Sequence, residues 1–169
     1  GILEVTGEAN SFVGDIISSD FDLDYNADAV YFGTSKGNDT DLDGDVDNWT
    51  GKLMRVCLTS SSSCGAAAYK NATVLMDIER PMVATPSISF DDNENRWLHF
   101  GTGRFYTDKD TVDTTVQYAF GVKEPVDTSG NISYGTVDNT KIIDVTNAVV
   151  IEKTGALTGV TLSPALGGG

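Results

Sequence analysis

The sequence predicts an all-β fold of antiparallel strands, and three observations predict it. Helical periodicity is hard to find along the 169 residues. Short alternating or apolar runs recur instead, bounded by clusters of Gly, Asp, Asn, Ser and Thr. One pattern of strand, acidic turn and strand then occurs twice.

The predicted strands, in order, are Phe12–Ser18, Ala29–Thr34, Lys52–Leu58, Thr73–Ile78, Val83–Phe90, Arg96–Gly101, Thr115–Val122, Lys141–Val145 and Ala148–Glu152. The Asp-rich stretches between them read as turns, because Asp and Asn side chains satisfy nearby backbone N–H groups. The repeat sets Asp28-Ala-Val-Tyr-Phe-Gly-Thr34 against Arg96-Trp-Leu-His-Phe-Gly-Thr102, 68 residues later. Each copy follows a strand and an acidic turn, Asp20–Asp28 or Asp91–Glu94, and precedes an excursion and a third strand. Units of this kind describe antiparallel four-stranded blades of a β-propeller. Two such units do not close a ring, so the expected architecture over residues 1–152 is a partial propeller. The alternative is an open β-sandwich. Residues 153–169, with Gly167–Gly169 at the end, read as a flexible or excised tail.

Charge narrows the function classes. Lys plus Arg number 11 against 25 Asp plus Glu, for a net charge of −14, which speaks against a nucleic-acid phosphate binder. Residues 1–50 hold 12 of the acids and one base, Lys36. Apolar runs are only a few residues long, so no membrane-spanning segment is expected. The chain opens on Gly1 without an initiator Met or a signal-peptide pattern, as expected of a mature product or an excised fragment. Cys57 and Cys64 bracket six residues, mostly Ser, and are expected to form a disulfide in an oxidising compartment.

The acidic excess concentrates in two loops. Asp20, Asp22, Asp24, Asn26 and Asp28 occupy positions 1, 3, 5, 7 and 9 of the first. Asp39, Asp41, Asp43, Asp45 and Asp47 occupy the same positions of the second. Alternating carboxylates on a tight turn supply the oxygen ligands that Ca²⁺ takes, with position 7 giving its backbone carbonyl. Two carboxylates about 4 Å apart repel by about 4 kcal/mol at an effective dielectric of about 20, and a divalent cation reverses that sign. Oxygen-only donors select a hard cation. Position 12 is Tyr31 in one loop and Thr50 in the other, so the helical EF-hand Glu is missing and position 9 closes the site. Position 6 is Gly44 in the second loop but Tyr25 in the first, where the turn strains a side-chain-bearing residue. The first loop joins two predicted strands and is expected to be the structural site.

No enzyme constellation stands out. His99 is the only histidine and sits mid-strand, no Ser-His-Asp or Cys-His pattern is signalled, and Gly101-Thr-Gly103 lacks a following helix. Asp91, Asp92 and Glu94 offer carboxylates for a glycan-binding or glycoside-hydrolysing propeller. Their flanks, Ser89-Phe-Asp91 and Trp97, approach a sialidase Asp-box that is one residue too long. A quinoprotein-like dehydrogenase fragment is the other alternative, because those enzymes also combine propellers with calcium.

Ala27-Asp-Ala-Val-Tyr-Phe-Gly33, Gly51-Lys-Leu-Met-Arg-Val56, Arg80-Pro-Met-Val-Ala-Thr-Pro86, Trp97-Leu-His-Phe-Gly-Thr-Gly-Arg104 and Gln117-Tyr-Ala-Phe-Gly-Val-Lys123 carry a family likeness. Over about residues 12–125 the chain resembles the PilY-type C-terminal β-propeller of bacterial type IV pili, a tip-associated adhesin and assembly factor. The resemblance implies a modified seven-bladed propeller, of which this chain would hold about two to three blades, and a Ca²⁺ loop at Asp20, Asp22, Asp24 and Asp28. It also implies a non-enzymatic role at the cell surface or pilus tip, reached through the periplasm. Its implied partners are minor pilins and a host or abiotic surface. Tyr25 stands where the family loop has Gly, and Asp39–Asp47 is an extra insertion. An incomplete propeller exposes sheet edges and faces, so a homo-oligomer or a complementing chain is expected.

Overall fold

A computed structural model describes residues 10–43, 46, 48–129, 131–147, 149–151, 156–158 and 161–162. The chain divides into two units, Gly1–Val137 and Asp138–Gly169. It is all-β: its sheets are antiparallel, and among the described residues the helical segments are a single turn, α1 (Ser61–Cys64), and two short 3-10 turns.

The first unit holds two sheets. In the larger, β1 (Ser11–Ser19), β2 (Ala29–Asn38), β4 (Lys52–Cys57) and β5 (Ala72–Asp77) form an antiparallel meander in that order. A short strand, β3 (Asn48–Thr50), adds to the far end of β2. The smaller sheet is a three-stranded meander of β6 (Ser87–Phe90), β7 (Arg96–Gly101) and β8 (Ala119–Lys123). Among the described residues these sheets do not close into a ring.

Sequence dictates where each strand sits. Ala29–Ser35 is nearly continuous in burial, as a central strand covered on both faces must be. Sheet edge β1 exposes Phe12, Val13 and Ile16, and a bulge between Val13 and Ile16 breaks its ladder, which blunts the edge. β2 runs past the predicted end at Thr34 because Lys36–Asn38 pair with Asn48–Thr50. β6 starts later than predicted, at Ser87. The residues before it cross the larger sheet, where Met82 N–H donates to Thr34 O and Asp15 N–H donates to Val83 O. Gly33 permits this crossing, since a Cβ there would strike Met82.

The repeat is structural as well as sequential. Phe32 faces Met54 across β2 and β4, and Phe100 faces Phe120 across β7 and β8. The Thr that ends each Phe-Gly-Thr accepts the N–H of a residue entering the third strand: Thr34 Oγ1 from Lys52 at 2.9 Å, Thr102 Oγ1 from Tyr118 at 2.8 Å. Phe32, Met54, Val56 and Ala72 form one buried apolar cluster, and the smaller sheet buries Leu98, Phe100 and Val122. The sheets are joined by an ion pair between Arg55 of β4 and Glu124 just after β8, both side chains fully buried. Trp49 and Tyr106, from the excursions of the two repeats, meet at 6.2 Å between ring centroids, with Arg104 stacked on Trp49.

In the second unit β9 (Ile143–Asp144) pairs with β12 (Thr161–Leu162), and β10 (Val149–Ile151) with β11 (Ala156–Thr158). Two of these strands lie inside the predicted tail 153–169, whose other residues lie outside those described.

Candidate metal centre

The first acidic loop is a hairpin turn between β1 and β2, closed by Asp28 N–H donating to Ser19 O at 2.8 Å. The short side chains of Asp fold back onto the turn's own backbone. Asp20 Oδ2 accepts Tyr25 N–H at 2.8 Å, Asp28 Oδ2 accepts Phe21 N–H at 2.6 Å, and Asp22 Oδ1 accepts Asp24 N–H at 3.2 Å. These bonds draw three carboxylates together: Asp20, Asp22 and Asp28 each place an oxygen within 4.8 Å of the others. Asp20 Oδ1 is shielded from solvent and has no hydrogen-bond partner. A shielded anionic oxygen without a donor fits a cation ligand, because an unmet buried acceptor is otherwise unfavourable.

Asp24 and Asn26, both expected among the ligands, hydrogen-bond to each other. Asp24 accepts both the backbone and the side-chain N–H groups of Asn26, and these bonds hold its carboxyl below the usual carboxylate range. Leu23 and Tyr25 adopt left-handed backbone at φ 60° and 71°. Tyr25 at position 6 is thus held where Gly is favoured, with its side chain 98% exposed.

The second loop repeats part of this geometry. Leu42, at position 4 like Leu23, is also left-handed at φ 64°. Asp41 Oδ1 accepts Asp43 N–H at 3.3 Å, the counterpart of the Asp22–Asp24 bond. Asp39, Asp41 and Asp43 gather oxygens within 4.8 Å of one another. Asp45 and Asp47 lie outside the described residues.

The disulfide is formed between Cys57 at the end of β4 and Cys64 in α1, with Cα atoms 6.2 Å apart. Ser60 caps the helical turn by accepting Ser63 N–H, which folds the Ser run back so that the two cysteines meet. Thr59, next in the same segment, donates its hydroxyl to Asp28 Oδ1 at 3.2 Å, tying the disulfide loop to the acidic turn.

The carboxylates considered for hydrolysis are arranged differently. Asp91 accepts the Trp97 indole N–H at 3.0 Å, the Asn95 side-chain amide and the backbone N–H groups of Asn93 and Asn95. Those bonds, the Trp97 bond foremost, drive its pKa far below the usual range and commit both oxygens to shaping the turn. Asp127 does the same for Ser129 and Asn131, giving a second Asp-x-x-x-Asn turn that the strand pattern did not single out. His99 Nε2 and Ser89 Oγ share a hydrogen bond of 2.9 Å on the open face of the smaller sheet.

An open cleft of about 330 Å³ adjoins the first loop. Its lining comprises Phe21, Asp22, Asp28, Thr59, Ser63, Arg96, Asn131, Ile132 and Tyr134. The Arg96 guanidinium stacks on the Phe21 ring, and Arg55 lies 4.8 Å from the centroid of Tyr134. Tyr31, wholly buried nearby, has its hydroxyl pKa pushed up, first by burial and then by Glu124, with Arg96 and Arg55 opposing. None of the described helices is long and apolar enough to cross a membrane. No family model, no curated protein and no solved structure matches the chain.

Proposed function

We propose that the chain is a calcium-binding, non-enzymatic β-propeller segment of a PilY-type protein, acting at the tip of a bacterial type IV pilus in pilus assembly and surface adhesion. The observation that carries the metal reading is the convergence of Asp20, Asp22 and Asp28 with one shielded, donorless oxygen on the turn joining β1 and β2. Calcium is the ion because every donor there is a carboxylate or carbonyl oxygen. It braces the turn and, through Thr59, the disulfide loop, and so fixes the surface offered to minor pilins or to a host or abiotic surface. The second acidic loop is a further calcium site by the same donor chemistry.

The blade reading is supported by the matched Phe32–Met54 and Phe100–Phe120 pairs and by the shared Thr34 and Thr102 bonds. The pilus reading is supported by the motifs around Arg80–Pro86 and Trp97–Arg104. The disulfide supports an extracellular location reached through an oxidising periplasm. The test is co-elution of the purified chain with purified minor pilins, with calcium and with chelator. Calcium-dependent co-elution is expected. Calcium binding without pilin association in either condition would contradict the pilus role.

A further inference from the structure

A strand at the edge of a sheet presents N–H and C=O groups that pair readily with another chain, and folded proteins blunt such edges. In the first unit β1, β5 and β6 are blunted. A bulge between Val13 and Ile16 breaks β1. The chain returns along β5, where Val137 N–H donates to Leu75 O at 2.7 Å and the Thr136 hydroxyl donates to Val74 O at 3.0 Å. β6 is only four residues long and follows Pro86. β8 (Ala119–Lys123) has no bulge, no cover and no proline among its residues. It pairs with β7 along its whole length without a register shift. In the first repeat the same side of the third strand, β4, is occupied by β5. Glu124 N–H donates to Arg96 O and Thr102 N–H to Tyr118 O, so the even-numbered residues bond inward to β7. By strand alternation the N–H and C=O groups of Ala119, Gly121 and Lys123 point away from it. All three residues are exposed, and among the described residues no backbone bond reaches those groups.

We infer that β8 pairs antiparallel with β8 of a second copy about a two-fold axis at Gly121, joining the two three-stranded sheets into one continuous sheet. The register follows from which groups face outward. Gly121 meets the partner's Gly121, and Ala119 meets the partner's Lys123, each as a hydrogen-bonded pair that satisfies the outward N–H and C=O groups of both strands. Phe120 then faces the partner's Val122 in the closer, non-hydrogen-bonded pairing, on the face that buries Leu98 and Phe100. An aromatic row reaches the edge on that face: Phe120 lies 5.1 Å from Phe100 and 5.9 Å from Tyr118 between ring centroids. Phe120 is only half-buried, and an aromatic against a β-branched side chain is a favourable cross-strand pair. The strand itself specifies a second copy as occupant. Lys123 is its only charged residue, and the register sets it across from Ala119, so no like charges oppose. The chain as a whole carries a net charge of −14, and copies repel over most other approaches. β1, β5 and β6, being blunted, offer β8 no long edge for a head-to-tail contact, whereas β8 with itself makes a closed two-fold one. The pairing uses no residue of the acidic loops.

The test is sedimentation velocity of the full chain over a concentration series, beside the variant Ala119→Pro. Proline there removes an outward N–H and no bond to β7. The unaltered chain is expected to pass from monomer to dimer and stop there, and Ala119→Pro should raise the dissociation constant about tenfold or more. Should that variant fold poorly, disulfide trapping decides. Chains carrying Ala119→Cys mixed with chains carrying Lys123→Cys should cross-link on mild oxidation, because the register sets those positions opposite each other at about 5.5 Å between Cα atoms. Either variant alone should cross-link far less. A monomer at every concentration, growth beyond the dimer, or dimerisation unchanged in a folded Ala119→Pro variant overturns the inference. Cross-linking of either single variant as efficient as that of the mixture also overturns it.

Discussion

Thr34 and Thr102 occupy the same place in two successive sheets: each hydroxyl accepts the N–H of a residue entering the third strand, at 2.9 and 2.8 Å. The hydroxyl fixes where the chain returns after an excursion of different length and sequence in each repeat. Thr34 is wholly buried, so Thr34→Val keeps the shape and removes the acceptor. A loss of about 1–3 kcal/mol is expected in denaturant unfolding. Thr102→Val, at a more exposed position, should lose less.

Arg55 and Glu124 are a buried pair bridging the two sheets. Removing one partner strands the other's charge, so Arg55→Met alone should lower stability by about 3–5 kcal/mol. The double variant Arg55→Met with Glu124→Leu should recover much of that loss. Chemical denaturation of the two single variants and the double variant measures the coupling, and additive losses would show that the pair does not act as a unit.

Tyr25 holds a left-handed conformation with its side chain in solvent. Tyr25→Gly removes the steric penalty and no packing. It should raise stability by about 1 kcal/mol, partly offset by the freer unfolded chain, and should strengthen rather than weaken metal binding. A thermal melt with and without calcium checks both expectations.

Asp91 has a pKa depressed in the folded state by its bonds from Trp97 and Asn95. A carboxyl whose folded pKa lies below its unfolded value stabilises the fold fully above the unfolded pKa, and that contribution fades as pH falls through the carboxylate range. Melting temperature should therefore drop on acidification from neutral pH. Asp91→Asn should flatten part of the drop, since Asn titrates nowhere in this range. Identical acid profiles would contradict the assigned role of the carboxylate.

The strands that define the fold were legible because their patterns are local. Arg96–Gly101 alternates and begins and ends where predicted, and the predicted strand Ala29–Thr34 lies within β2. β3 was not legible: Asn48-Trp-Thr50 is too short and polar to signal a strand, and it exists because β2 extends to meet it. In the loop, spacing placed Asp20, Asp22 and Asp28 together but gave no sign that Asp24 turns to Asn26. That depends on the left-handed backbone at Leu23 and Tyr25, which the residue types disfavour. Arg55 with Glu124 and Arg96 with Phe21 were invisible because their partners lie far along the chain and follow no local period.

The central claim is that the Asp20–Asp28 loop holds calcium through Asp20, Asp22 and Asp28, with Asp24 in a supporting place. Calorimetric titration of chelator-treated protein, with a thermal melt at each endpoint, tests it most directly. The unaltered chain should bind calcium saturably and melt at a higher temperature, by about 2.7 kcal/mol of added stability at one hundred times the dissociation constant for one site. Asp20→Asn and Asp28→Asn should each weaken the first-loop site well beyond Asp24→Ala. No saturable binding and no shift in melting temperature, or an Asp20→Asn variant that binds as the unaltered chain does, would contradict it.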